Sequence, residues 1–260
     1  MTTTTSPRPL AGRTVIFFHA HPDDESIFTG LAMRRIADLG GRVILVTATC
    51  GEEGVPRTPL RPGESLAGRR ARELETACEH LGVSRLVLLS YRDSGVAGSR
   101  SNAHPSGFVH HVHEASRSVG RLLRREDAEA LVHYDGDGIY GHPDHVAVHR
   151  TGVRAAAREG VSAYEATVDR DHLATAPGHL VETASAGTRV RLGRGSHQIT
   201  TLVRARPGED AAKRRAMAAH PSQIPAQAHA GPGFAALYGV EWFVRVGEPG
   251  ILDEVGDNVG

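Results

Sequence analysis

Thr14-Val-Ile-Phe-Phe-His-Ala-His-Pro-Asp-Asp-Glu-Ser26 runs from an apolar segment straight into imidazoles and carboxylates. Thr14 to Phe18 shows no polar alternation, the pattern of a strand buried on both faces. Ile27 to Leu39 then carries apolar residues at helical spacing and stops at Gly40 and Gly41. The rhythm repeats along the chain. Val43 to Thr47 reads as a strand, Arg69 to Leu81 as an amphipathic helix closed by Gly82, and Leu86 to Leu89 as a strand. Val109 to Leu123 reads as a helix and Ala130 to Tyr134 as a strand. A helix from Pro143 to about Arg158 and a strand from Ser162 to Thr167 follow. Alternating helices and doubly apolar strands predict an α/β fold, a Rossmann-like, mainly parallel sheet with helices on both faces. Ligands of such sheets bind beyond the carboxyl ends of the strands. The polar runs at His19, Thr49, Tyr91 and Asp135 are therefore expected on one rim.

After about residue 170 the rhythm changes. Thr188 to Leu192 and Gln198 to Arg204 alternate like strands, Glu209 to His220 looks helical, and Val240 to Val246 reads as a last strand. The chain divides into a Thr/Pro-rich leader over residues 1–12, expected to be disordered, a core over 13–168, and a C-terminal portion over 169–260. That portion is expected to pack on the core as part of the same domain.

Composition excludes several classes. The 260 residues carry 30 Lys+Arg against 30 Asp+Glu, so bulk charge favours neither a nucleic-acid partner nor a membrane surface. No apolar stretch approaches a membrane span, and the first residues contain no apolar signal segment. Only Cys50 and Cys78 occur, too few for a disulfide framework, so a reducing, cytoplasmic setting is expected. Lys213 is the only lysine, which removes most lysine chemistry. The sequence leaves a homo-oligomer open.

Two constellations carry chemistry. In the first, His21 and Asp24 are three apart across a turn entering a helix, so both can face one metal ion. Asp23 between them points elsewhere and is placed as a base. A dinucleotide-binding chain would put a glycine-rich turn here instead. In the second, Tyr140-Gly-His-Pro-Asp-His145, Pro143 fixes a helix start and sets His142 and His145 on one face of its first turn. Two histidines and a carboxylate with an open position make a catalytic zinc arrangement. Either cluster alone reads equally well as a capped helix start; two, each after a strand of one parallel sheet, do not.

These residues resemble the LmbE-like, or PIG-L, family of zinc-dependent N-acetyl-sugar deacetylases. The likeness rests on His19-Ala-His-Pro-Asp-Asp-Glu25 and Tyr134-Asp-Gly-Asp-Gly-Ile-Tyr-Gly-His-Pro-Asp-His145. Gly51-Glu-Glu-Gly54, Arg70-x-x-Glu73, Arg92-Asp-Ser-Gly95 and Ala219-His-Pro-Ser-Gln223 add to it. More narrowly, the chain is similar to the actinobacterial branch with the mycothiol-pathway deacetylase and conjugate amidase. The resemblance implies a hydrolase that frees acetate and an amine from an N-acetylglucosamine-type small molecule. It implies one zinc ion, with ferrous iron as the other candidate, held by His21, Asp24 and His145. It further implies Asp23 as general base, His142 as an electrophilic or acidic partner oriented by Asp144, and Tyr140 as a mobile oxyanion donor. Arg70 and Asp93 correspond to contacts with sugar hydroxyls, although spacing alone reads Arg70 equally as a solvated helix face beside Glu73.

Other readings are open at this point. His19-x-His21-x-Asp23 matches the start of a metallo-β-lactamase-type motif. Two histidines and a carboxylate also serve non-haem iron oxygenases. An amidase acting on a thiol conjugate and a silent metal- or sugar-binding module complete the alternatives. His104, His110, His111 and His113 form a dense group beside Glu114 and read as solvated or substrate-facing. His149, His19, Glu52 and Glu53 read as supporting or solvated groups, and His220 has no assigned role.

Overall fold

Strand β1 (Thr14–His19) is buried along its whole length, and Ile16, Phe17 and Phe18 are 0% exposed. Each such side chain contributes about 1.5–3 kcal/mol by leaving water. Around it, the computed structural model describes residues 8–186, 188 and 190–258. The other strands are β2 (Arg42–Thr49), β3 (Arg85–Tyr91), β4 (Ala128–Tyr134), β5 (Ser162–Thr167), β6 (Thr201–Arg204), β7 (Val240–Val246) and β8 (Asp257–Asn258). They form one sheet in the order β3-β2-β1-β4-β5-β7-β6-β8. The first five are parallel, with Phe17 in register with Leu45 on one side and Val132 on the other. Beyond β5 the pairings are antiparallel. The expected α/β fold is present, and the C-terminal strands extend the same sheet.

The helices are α1 (Asp24–Phe28), α2 (Gly30–Asp38), α3 (Leu66–Leu81), α4 (Val112–Arg125), α5 (Gly138–Gly141), α6 (Pro143–Glu159), α7 (Arg170–Thr175), α8 (Leu180–Ser185), α9 (Glu209–Ala218), α10 (Ala226–Ala230), α11 (Phe234–Tyr238) and α12 (Ile251–Val255). Helices α2, α3 and α9 pack together, as do α4 and α6. Gly82 caps α3 in the left-handed conformation, as the sequence predicts.

Four expectations are corrected. The helix expected over Ile27–Leu39 starts earlier and breaks at Thr29, whose hydroxyl is engaged by His19 and by the Glu25 carbonyl. Thr188 and Val190–Leu192 form no strand, and residue 189 lies outside the described residues. The segment instead crosses over the α5 turn, where the Gly193 N–H donates to the Ile139 carbonyl at 2.7 Å. Ser196–Gln198 is a 3-10 turn, so β6 begins only at Thr201. Of the expected leader, residues 1–7 lie outside the described residues, but Leu10 is packed in the core at 3% exposure. The single sheet also disposes of the metallo-β-lactamase alternative, whose fold needs two packed sheets.

Candidate active site

The parallel strands deliver their polar runs to one rim. His21, Asp23, Asp24, Arg70, Asp93, Tyr140 and His142 line one cavity of about 220 Å³. His145 and Asp144 are fully buried against it. The rim is built from strained backbone. Asp23 has φ 109° and Ile139 φ 65°, values that cost side-chain-bearing residues energy and persist only where the surroundings fix them. Asp135 fixes the second turn by accepting from the Asp137 and Ile139 N–H groups, each at 3.0 Å, and from the Thr167 hydroxyl at 2.5 Å.

Asp24 Oδ2 lies 3.5 Å from His21 Nδ1 and 3.4 Å from His145 Nε2. Two ligand atoms each about 2.1 Å from a tetrahedral ion stand about 3.4 Å apart, so Asp24 stands at ligand spacing from each of the two histidines. Charge points the same way. Asp24, Asp93 and Asp144 come within 3.5, 3.7 and 3.3 Å of the His21 ring nitrogens. The candidate ligand atoms of His21, His142 and His145 also gather within 4.8 Å of one another, as do those of His21, Asp93 and Asp144. His142 and Asp93 therefore stand beside the same centre.

Asp23 is turned from these ligands toward Arg70, whose guanidinium is 3.3 Å from Asp23 Oδ1. Burial pushes the Asp23 carboxyl up to about 6, against the pull of Arg70. Arg70 is no solvated helix residue. It is 4% exposed and donates to the Gly51 carbonyl at 2.7 Å and the Pro22 carbonyl at 2.6 Å. Gly51 permits that approach, since a Cβ there would lie 2.2 Å from the guanidinium. Burial pushes the Asp93 carboxyl up, but His21 and the Gly95 N–H outweigh it and hold the group well below the usual carboxylate range.

His142 differs from its expectation. The Asp144 backbone N–H donates to His142 Nδ1 at 3.2 Å, while the Asp144 carboxylate faces His21 Nε2 and accepts from the Ser94 N–H at 2.9 Å. Asp144 thus orients His142 through its backbone and His21 through its side chain. Burial, with His21 and His145 nearby, holds His142 well below the ordinary histidine range. A neutral ring that accepts at Nδ1 carries its proton at Nε2 and is a hydrogen-bond donor. Tyr140 places its hydroxyl 3.3 Å from His145 Nε2, and burial keeps the phenol protonated.

The GlcNAc-PI de-N-acetylase (PIG-L) family matches residues 16–156, the span that carries both motifs. The chain belongs to the PIG-L family. It is 36% identical over 244 residues to the 1D-myo-inositol 2-acetamido-2-deoxy-alpha-D-glucopyranoside deacetylase of Salinispora arenicola, covering 83% of this chain and 78% of that protein. It is 37% identical over 261 residues to the enzyme of that name from Acidothermus cellulolyticus, covering 89% and 88%. The zinc-inhibited form of teicoplanin deacetylase Orf2 shares the fold, with a TM-score of 0.62 at 18% identity over 91% of this chain and 100% of that one. N,N'-diacetylchitobiose deacetylase from Pyrococcus horikoshii does so with a TM-score of 0.55 at 22% identity, over 90% and 84%. Like its relatives, this PIG-L chain is a hydrolase of the N-deacetylase kind.

Some residues of this PIG-L site were silent in the sequence. Glu25 Oε2 accepts from the strained Asp23 N–H at 2.9 Å, and its Oε1 accepts from the Ser26 hydroxyl at 2.5 Å and pairs with His220 Nε2 at 2.7 Å. Glu73, beside Arg70 on α3, accepts from the Ser222 N–H and hydroxyl at 3.2 and 2.6 Å. The 219–223 motif therefore braces the first motif and the α3 helix from beneath. Its only outward sign was the motif itself. Glu52 and Glu53 hold Asp93 by accepting from its N–H at 3.0 Å and donating an N–H to Oδ2 at 3.2 Å. His19 spends both ring nitrogens on Tyr134 and Thr29, and His149 pairs with Glu165 at 3.3 Å. His104, His110 and His113 are exposed, while His111 stacks on Tyr91.

Proposed function

We propose that the chain is a zinc-dependent hydrolase that cleaves the N-acetyl amide of an N-acetylglucosamine-type sugar, releasing acetate and the free amine. The observation that carries this reading is Asp24 at ligand spacing from both His21 and His145, with Asp23 beside them and paired with Arg70. The activity named for the relatives supports the amino-sugar part. A cytoplasmic setting agrees with two unpaired cysteines, Cys50 and Cys78, and no helix among the described residues is long and apolar enough to cross a membrane.

His21, Asp24 and His145 would hold the ion. When bound, it would lower the pKa of a water ligand to about 7 and polarise the amide carbonyl. Asp23, with its carboxyl near 6, takes a proton from the attacking water and returns it to the departing nitrogen. His142 Nε2–H and the Tyr140 hydroxyl donate toward the carbonyl oxygen as charge develops on it. Arg70 and Asp93 line the same cavity, which supports assigning them to the sugar hydroxyls. A panel of N-acetylglucosaminides, scored for acetate and free amine with zinc- or iron-loaded protein, tests the reading. Turnover of at least one member is expected; a loaded protein that turns over none would overturn it.

A further inference from the structure

A second cavity, of about 410 Å³, opens on the other side of the reaction centre. Ile27, Phe28, Leu180, Val181, Ile224 and Pro225 line it. It shares Asp23, Asp24, Tyr140 and Gln223 with the polar cavity, so the two chambers meet where the amide must sit. Their chemistry differs. The polar chamber presents Arg70, Asp93, Glu53 and His142. Apart from the shared carboxylates, the second chamber carries one charged side chain, Arg57. The apolar wall is firmly backed: Ile27 and Leu180 pack on a small core of Met217, Ile224, Phe234 and Tyr238.

An amide has two substituents that leave the reacting carbon and nitrogen in opposite directions. Hydroxyls on the nitrogen side match the polar chamber. The acyl side then points into the apolar one, which has the size of a ligand pocket and far exceeds a methyl group. We propose that this chamber receives the acyl chain of the substrate, and that the protein hydrolyses N-acyl amino sugars whose acyl group is longer than acetyl. The inference rests on the amide-hydrolase reading above. In the reaction water oxygen bonds to the acyl carbon, the C–N bond breaks, one water proton goes to nitrogen to give the free amine, and the other is released as the longer acid leaves as its carboxylate.

The test is a series of N-acetyl-, N-butyryl-, N-hexanoyl- and N-octanoylglucosamine with zinc-loaded protein. Burying a methylene is worth about 0.8 kcal/mol, so kcat/KM is expected to rise about two- to fourfold per methylene until the chamber is filled. Ala184, exposed on α8 and part of the chamber wall, supplies the second arm. Ala184→Phe should lower the hexanoyl-to-acetyl ratio of kcat/KM at least tenfold. Acetyl turnover with no gain along the series would overturn the inference and leave the proposed function standing. A gain with alkyl length at the anomeric oxygen, but not with acyl length, would also overturn it, by assigning the chamber to the aglycone. Failure of every member, acetyl included, would end the amide-hydrolase reading itself.

Discussion

The parallel half of the sheet and its antiparallel extension bury charge for different purposes. From β1 to β5 the buried charges crowd the rim, where Asp24, Asp93 and Asp144 surround His21. Beyond β5 they point inward as clamps. Lys213 meets Glu241 at 2.6 Å, and the same carboxylate accepts the Leu31 and Ala32 N–H groups at the start of α2. Arg35 meets Glu209 at 2.6 Å, and His220 meets Glu25 at 2.7 Å. One region holds like charges together at a cost in stability; the other supplies paired charges that hold them in place. Crowded carboxylates call for a cation, whereas paired ones do not.

The largest effect should come from removing a proposed metal ligand at the rim. Asp24→Ala is expected to lose bound metal and activity together while the sheet remains folded, as read by elemental analysis and circular dichroism. Full metal content in that variant would break the contrast between rim and clamp. Next comes the brace under Asp23. Glu25→Ala or His220→Ala should keep the metal yet lower kcat by about 10- to 100-fold, the usual cost of losing an outer supporting partner. Glu25→Gln, which retains an acceptor for the Asp23 N–H, should recover most of that loss. Equal defects in both Glu25 variants would show that the hydrogen bond to Asp23 is not what matters.

The Lys213–Glu241 clamp should behave oppositely to the Glu25–His220 pair. Lys213→Met leaves Glu241 buried without its counter-charge, so urea unfolding should show a loss of about 3 kcal/mol, with kcat per folded molecule unchanged. A fall in kcat instead would tie the clamp to catalysis. A smaller effect concerns acid. Burial holds His133 at about 4 and His179 at about 3, so both are neutral in the folded chain at pH 5. Unfolded, they titrate near 6.5 and take up protons that the folded chain does not. Stability should therefore fall as pH drops from about 6.5 toward 4, by up to about 1.4 kcal/mol per pH unit for each histidine. One of the two lies in each region, so His133→Gln and His179→Gln should each flatten the slope; an unchanged slope in both would contradict the assignment.

What the sequence made legible divides along the same line. The parallel strands were readable because burial on both faces leaves an unbroken apolar run, as in Val15–Phe18. The candidate site residues were readable because His21 and Asp24, and likewise His142 and His145, are set by one turn of backbone. The break at Thr29 was not, since a tertiary hydrogen bond from His19 decides it. Nor was the order of β5, β7, β6 and β8, where the last strands pair out of sequence. Glu25 and His220 lie 195 positions apart, and no local pattern joins them. The motif at 219–223 was visible, but only the fold shows that it braces Asp23 and Glu73.

Asp23 tests the central claim most directly, because it sits between two candidate ligands without facing them. Metal stoichiometry and kcat on an N-acetylglucosaminide should be measured for zinc-loaded Asp23→Ala beside the wild type. One retained zinc and a kcat lower by about 10²–10⁴, the range for a lost general acid–base group, is the expected result. Wild-type turnover in the zinc-loaded variant would contradict it.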